Sequence, residues 1–60
     1  MYIYIEIHAN KDEALVNYNG KEIWTNKSGA NSFIALAKMK NMKEVSYNRF
    51  DNGDERRWFN

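Results

Sequence analysis

The first nine residues alternate between apolar and polar side chains. Ile3, Ile5 and Ile7 project to one side of an extended chain, and Tyr2 and Tyr4 project to the other. A period of two is typical of a strand with one buried face, and isoleucine and tyrosine are good strand formers. The pattern therefore predicts a first strand whose isoleucines face the core.

Two further strand-like runs, residues 14–18 and 21–25, flank the pair Asn19-Gly20. Asn-Gly between such runs is the strongest short-range signal for a two-residue hairpin. The turn would pair three sets of residues: Tyr18 with Lys21, Val16 with Ile23, and Leu15 with Trp24. The first half of the chain is thus predicted to be a three-stranded antiparallel meander.

The period changes after a polar break at residues 25–29, where Asn26 or Ser28 can cap a helix. Beyond the break, apolar residues recur at helical spacing: Ala30, Phe33, Ile34 and Ala37. This spacing predicts an amphipathic helix of about three turns whose apolar stripe faces the sheet. Three lysines crowd the carboxy-terminal end of this helix, where cations complement the helix dipole: Lys38, Lys40 and Lys43.

A second stripe on the helix flank contains Ala35, Met39 and Met42. Methionine adapts readily to contact surfaces. Two interpretations stand side by side. The stripe is a docking or homodimer face, or Met42 lies beyond the helix and packs locally.

After Glu44 the strand pattern returns, and Asn52-Gly53 predicts a second hairpin. A turn symmetric about this pair would set Tyr47 opposite Trp58, and Arg49 opposite Arg56. The overall prediction is one α+β domain over residues 1–60, in the order β-β-β-α-β-β. It consists of a small antiparallel meander of three strands, one amphipathic helix packed on one face, and a carboxy-terminal hairpin or edge strand.

The composition limits the kinds of metal site and catalytic site that the chain can form. The chain has 60 residues, no cysteine, one histidine and a net charge of +1. Disulfides and thiolate metal sites are excluded, and no activated nucleophile, acid–base pair or spaced ligand set is visible. Glu6 and His8 share a strand face, but nothing completes a catalytic or metal arrangement around them, so we interpret them as a surface pair. We expect a non-enzymatic protein without metal or cofactor.

Membrane association is not expected either. No stretch approaches the roughly 20 apolar residues of a membrane span, and the first residues do not resemble a signal peptide. The expected location is the cytoplasm.

The strand face opposite the isoleucines carries large side chains with two carboxylates among them: Tyr2, Tyr4, Glu6, His8, Leu15, Glu22 and Trp24. Either this face is an exposed aromatic patch of the kind that marks partner sites, or the carboxy-terminal hairpin covers part of it. The carboxylates disfavour a nucleic-acid backbone on this face, so a protein partner fits it better.

All three arginines lie in the last twelve residues, among aromatic side chains. Arginine, tryptophan and tyrosine are the residue types that most often contribute binding energy at interfaces. The alternative is a closing strand in which Tyr47 and Trp58 are buried and the arginines are solvated. Three acidic residues make residues 45–60 electrically neutral, which weighs against phosphate binding.

These observations predict a protein-binding module. The predicted partner-binding residues are Arg49, Arg56, Arg57 and Trp58, with Tyr4 and Trp24 second. No motif identifies a family, but a small motif-free chain with Asn-Gly hairpins is similar to accessory and inhibitor proteins of phages and mobile elements. That similarity implies an inhibitor or modulator of a host protein. The alternative function is nucleic-acid binding through Lys38, Lys40 and Lys43 together with the carboxy-terminal arginines and aromatics.

Overall fold

The computed structural model describes all 60 residues and has the predicted order β-β-β-α-β-β. The elements are β1 (Ile3–Ile7), β2 (Ala14–Tyr18), β3 (Lys21–Thr25), α1 (Lys27–Met39), β4 (Glu44–Arg49) and β5 (Glu55–Phe59). All five strands are antiparallel and form one sheet in the order β3-β2-β1-β5-β4. The carboxy-terminal hairpin therefore extends the sheet beside β1 and does not fold over it. The single helix has 13 residues, which is too short to cross a membrane.

The first hairpin has the predicted register. Asn19 and Gly20 both adopt left-handed backbone angles, with φ of 52° and 93°, as a primed two-residue turn requires. The paired residues are those expected from the sequence: Tyr18 with Lys21, Val16 with Ile23, and Leu15 with Trp24.

Both ends of α1 are capped. Asn26 is the amino-terminal cap, and its side-chain oxygen accepts the Gly29 N–H at 2.8 Å. At the other end Asn41 adopts a left-handed φ of 58°, and the Met42 N–H donates to the Ala37 carbonyl at 3.0 Å, as in a Schellman motif. Met42 thus lies beyond the helix and packs against the core, whereas Met39 stays exposed.

The core lies beneath α1, chiefly on β1 and β2, with one residue from β5. It consists of eight buried apolar residues: Ile3, Ile5, Ala14, Val16, Ala30, Ile34, Ala37 and Phe59. Small side chains on the helix let it approach the sheet closely. Because α1 lies across β1, β2 and β3, the far edge strand β4 is exposed at all six of its residues.

The second hairpin differs from the predicted pairing by one residue. Arg57 lies opposite Tyr47, and Glu55 lies opposite Arg49. The predicted pairs of Tyr47 with Trp58 and Arg49 with Arg56 are therefore wrong. The unfavourable arginine pair does not form, and Trp58 lies opposite Ser46 beside a bulge in β4.

The turn itself explains the shift. Gly53 has a left-handed φ of 92°, but Asn52 does not share this conformation, so a primed two-residue turn cannot form. Instead the Phe50 N–H donates to the Asp54 carbonyl at 2.9 Å, and the Gly53 N–H donates to the Phe50 carbonyl at 2.8 Å. This is a three-residue loop that ends in a glycine bulge.

A close approach at the start of α1 yields a test of the fold. A Cβ atom at Gly29 would overlap the side chain of Thr25, the last residue of β3. Alanine favours a helix interior over glycine by about 1 kcal/mol, yet we expect Gly29→Ala to destabilise the protein by more than about 1 kcal/mol because of this overlap. The free energy of unfolding in urea, followed by circular dichroism, measures the effect.

Two further variants separate the overlap from helix propensity. Asn31→Ala, at an exposed position of the same helix, should not destabilise the protein. Adding Thr25→Ala to Gly29→Ala should cost less than the sum of the two single changes, since Thr25→Ala removes Oγ1, the atom that the added Cβ would overlap most, together with Cγ2. Strict additivity would show that the helix does not start against β3 in this way.

Candidate functional site

The pleat of β5 divides the arginine cluster between the two sides of the sheet. Phe59 is buried beneath the helix side, so Arg57 faces the helix side as well, while Arg56 and Trp58 project away from it. Arg49 pairs with Glu55 and also lies on the helix side. We call the side of the sheet away from α1 the open face; its residues include Tyr2, Tyr4, Glu6, Leu15, Asn17, Glu22, Trp24, Ser46, Asn48, Arg56 and Trp58.

Three rings form a contiguous group in the middle of the open face, here called the aromatic cluster: Tyr2, Tyr4 and Trp58. The Trp58 ring is stacked on Tyr2, with centroids 5.4 Å apart and planes 14° apart, and it meets Tyr4 at 5.1 Å and 51°. Pairs of this kind contribute about 0.5–1.5 kcal/mol beyond their burial. Nevertheless 39% of Trp58 remains exposed. The cluster is therefore an ordered apolar surface that solvent still reaches.

Hydrogen bonds fix the two tyrosines of the cluster. The Tyr4 hydroxyl donates to the Glu6 carboxylate at 2.7 Å, and the Tyr2 hydroxyl donates to the Asn17 side-chain oxygen at 3.1 Å. Burial, and after it the hydrogen bond to Glu6, raises the pKa of Tyr4 to about 12. Both rings are thus held in place without a partner.

Trp24 lies on the same face but outside the aromatic cluster. It is 69% exposed and pairs with Leu15 on the neighbouring strand. Leu15 pairs in turn with Glu6, and Glu6 pairs with Arg56, so these residues form one row across four strands. Trp24 therefore widens the apolar surface towards the β3 edge.

Arg56 has no carboxylate within 4.0 Å. Its guanidinium lies 5.0 Å from the centre of the Phe50 ring, an arrangement that favours a cation over the aromatic face. It lines a shallow cavity of about 400 Å³ between the open face and the second turn, together with Glu6, His8 and Asp54 among others. This arginine is positioned and still free to bind a group from outside.

His8 does not pair with Glu6, contrary to the interpretation drawn from the sequence. Its Nδ1 lies 4.0 Å from the Asp54 carboxylate, while Glu6 accepts the Tyr4 hydroxyl. The pKa of Asp54 is lowered, first by the hydrogen bond from the Ala9 N–H and then by that from the Asn52 side chain. These contacts anchor the second turn to the end of β1.

The guanidinium of Arg57, the neighbour of Arg56, is held by contacts within the protein. It binds the Glu44 carboxylate through two hydrogen bonds of 2.6 and 3.2 Å, and its guanidinium lies 5.4 Å from the rings of both Tyr47 and Phe59. The bond to Glu44 raises the pKa of Arg57. Bidentate pairing of this kind orients both groups, so Arg57 fastens β4 to β5 beside the bulge.

The three lysines of the alternative function are exposed at the end of α1, and none has a carboxylate within 4.0 Å. The backbone of Lys43 exchanges two hydrogen bonds with Asn60, at 3.0 and 2.9 Å. Arg49 lies opposite Glu55, about five residues and hence about 17 Å further along β5. Lys38, Lys40 and Lys43 therefore occupy the opposite end of the sheet from Arg49.

Sequence reasoning did not assign Tyr2 to the site. The period-two pattern placed Tyr2 on the same face as Tyr4. Its contact with Trp58, however, depends on the pairing of β1 with β5, which joins the two ends of the chain. No local signal reports that pairing.

The raised pKa of Tyr4 gives a test of the site geometry. Because burial is its first cause, we expect Glu6→Gln to lower the pKa of Tyr4 from about 12 without returning it to 10.0. The folded protein favours the neutral phenol, so stability contributed by this group is present below pH 10 and is lost as the pH rises towards 12. Phenolate absorbance during alkaline titration measures the shift.

The titration is best made in a Tyr47→Phe background, since a hydrogen bond to Glu55 also raises the pKa of Tyr47. An unchanged Tyr4 titration in the Glu6→Gln protein would mean that the hydroxyl bonds elsewhere.

Comparison of the chain with protein-family models, curated proteins and solved structures finds no match. What the open face can bind is therefore inferred from its own geometry.

Proposed function

We propose that this protein is a small, non-enzymatic binding module that docks on a protein partner through its open face. The observation that carries the proposal is the aromatic cluster: it stays ordered and exposed in the middle of a sheet face that no element of the chain covers. In this proposal the module inhibits or modulates its partner in the cytoplasm.

The make-up of the open face supports this role. Interfaces are typically anchored by a few central tryptophan, tyrosine or arginine side chains within a polar rim. Here Trp58 and Tyr4 lie centrally with Arg56 beside them, and Asn17 and Glu22 lie nearer the β3 edge. Since the rings are already fixed by stacking and hydrogen bonds, little side-chain freedom is lost on binding.

Charge supports a protein partner over nucleic acid. The open face has two carboxylates, Glu6 and Glu22, against the single guanidinium of Arg56. Phosphate contacts dominate affinity for nucleic acids, and a surface with this balance would repel a phosphate backbone. Inhibition as the mode of action is supported by the similarity in size and hairpin pattern to accessory and inhibitor proteins of phages and mobile elements.

The proposal gives the predicted site residues different roles. Trp58, Tyr4, Trp24 and Arg56 contact the partner directly. Arg57 acts indirectly, because its bidentate bond to Glu44 holds β4 against β5. Arg49 lies on the other side of the sheet and contacts the partner if the interface extends around the last hairpin.

A matched pair of substitutions tests the binding face. Trp58 and Tyr47 are both exposed aromatics of the last hairpin, but they lie on opposite sides of the sheet. A partner is first captured from the source cell after nuclease treatment, identified, and titrated against each variant by calorimetry. We expect Trp58→Ala to weaken binding by at least about 2 kcal/mol, and Tyr47→Ala to weaken it by less than about 0.5 kcal/mol.

Circular dichroism must show both variants folded, since Trp58 also contacts Tyr2 and Tyr4. Full binding by a folded Trp58→Ala variant, or equal losses in the two variants, would move the binding surface away from the open face.

Salt dependence separates a protein partner from nucleic acid. Because the open face has two carboxylates, we expect no binding tighter than about 10 µM to mixed-sequence DNA or RNA at physiological salt. Fluorescence anisotropy with labelled single and double strands measures this affinity. Submicromolar binding that falls steeply with salt, and that is lost on replacing Lys38, Lys40 and Lys43 by alanine, would establish the alternative function instead.

A further inference from the structure

Strand β3 is a sheet edge with less protection against pairing than the other edge of the sheet. Natural edge strands are commonly blunted by charged side chains, bulges, prolines or covering segments, and of these β3 has only the charged side chains of Lys21 and Glu22. The other edge, β4, is bulged between Glu44 and Ser46. In contrast β3 runs in unbroken register with β2 over five residues, the chain contains no proline, and Trp24 on this edge is 69% exposed.

The hydrogen bonds of β2 determine which backbone groups of β3 are unpaired. The Asn19 N–H donates to the Tyr2 carbonyl at 3.1 Å, and the His8 N–H donates to the Glu13 carbonyl at 3.1 Å. The backbone groups of the odd-numbered residues of β2 therefore point towards β1. Alternation then directs the even-numbered residues of β2 towards β3, where they bond Lys21, Ile23 and Thr25. The N–H and C=O groups of Glu22 and Trp24 consequently point outward from the edge.

We propose that a second copy of this chain occupies that edge. The two β3 strands pair antiparallel about a two-fold axis at Ile23 and join the two sheets into one of ten strands. In this register Glu22 of each copy exchanges hydrogen bonds with Trp24 of the other, so that all the outward groups of both residues are satisfied. The interface is isologous, as is usual for a two-fold dimer.

Like-charge repulsion and the backbone hydrogen bonds already made by β3 and α1 together select this register. Moving the two-fold axis from Ile23 to Glu22 would place Glu22 directly opposite its own copy, and like charges opposed across strands are destabilising. Moving the axis to Trp24 would pair Glu22 with Asn26, whose carbonyl already accepts the Ala30 N–H of the helix. With the axis at Ile23, Lys21 lies opposite Thr25, so no like charges are directly opposed.

The dimer is independent of the partner proposed above, although it would enlarge the same surface. Trp24 would pack beside the aliphatic part of the Glu22 side chain of the second copy, and the two open faces would become continuous.

The first experiment measures the mass of the wild-type chain by sedimentation equilibrium. An interface of one strand per copy is small, so we expect a reversible dimer of twice the 7.1 kDa chain mass at roughly 100 µM. Glu22→Pro removes only an outward N–H, which edge strands tolerate, and should give a folded monomer.

Arg49→Pro is the matched control on the other edge. The Phe50 N–H bonds Asp54 within the hairpin, so by alternation the Arg49 N–H points outward from β4. This variant should remain a dimer. A monomeric wild type overturns the proposal, and this would also be the result if the β3 edge receives a strand from a different protein. A dimer that survives Glu22→Pro overturns it as well.

A second experiment decides the matter where Glu22→Pro fails to fold. Because the chain has no cysteine, single cysteines report contacts cleanly. Ile23→Cys lies on the axis, where opposed Cα atoms are about 4.5 Å apart, within reach of a disulfide. Lys21→Cys is more exposed, but the two copies of residue 21 would be about 13 Å apart. Mild oxidation should cross-link the first variant and not the second; equal or reversed cross-linking overturns the proposed register.

Discussion

The pairing of β5 with β1 is the interaction on which the rest of the structure depends. It joins the two ends of the chain, with Phe59 opposite Ile3 and Trp58 opposite Tyr4, and it makes β1 a central strand with both edges bonded. Burial of Ile3 and Phe59 beneath the helix follows from it, since each lies at a seam between strands. The same pairing carries the last hairpin sideways into the sheet. For this reason the face opposite α1 has no cover.

The parts of the fold that local chemistry determines were predictable from the sequence. At Asn19-Gly20 both residues take left-handed angles, and the turn fixes the meander register. At Asn52-Gly53 the same dipeptide forms a different turn. Locally, the Asn52 side-chain oxygen accepts the Asp54 N–H at 3.0 Å. In addition, the Asp54 carboxylate accepts the Ala9 N–H at 2.8 Å, and a contact of this kind between distant parts of the chain leaves no trace in a local pattern.

That one-residue difference matters for the site, because each residue of a strand faces opposite to its neighbour. The residue types of the site could be recognised from composition, but their distribution between the two faces could not. Arg56 lies free beside Phe50 on the open face, while Arg57 is bound to Glu44 and acts as a structural residue. Adjacent arginines that look equivalent in sequence thus have different environments, and only the strand pairing distinguishes them.

The aromatic cluster links the stability of the sheet to the binding proposed above. No helix covers β4, so the seam between β1 and the last hairpin depends on backbone hydrogen bonds, on Phe59 and on the rings that cross it on the open face. With only eight buried residues, the core leaves little stability in reserve. Selection for a stable seam and selection for a binding surface would therefore act on the same side chains. A chain of this size can keep a large tryptophan exposed because Tyr2 and Tyr4 already order its ring, and that order is what a partner would otherwise have to impose on binding.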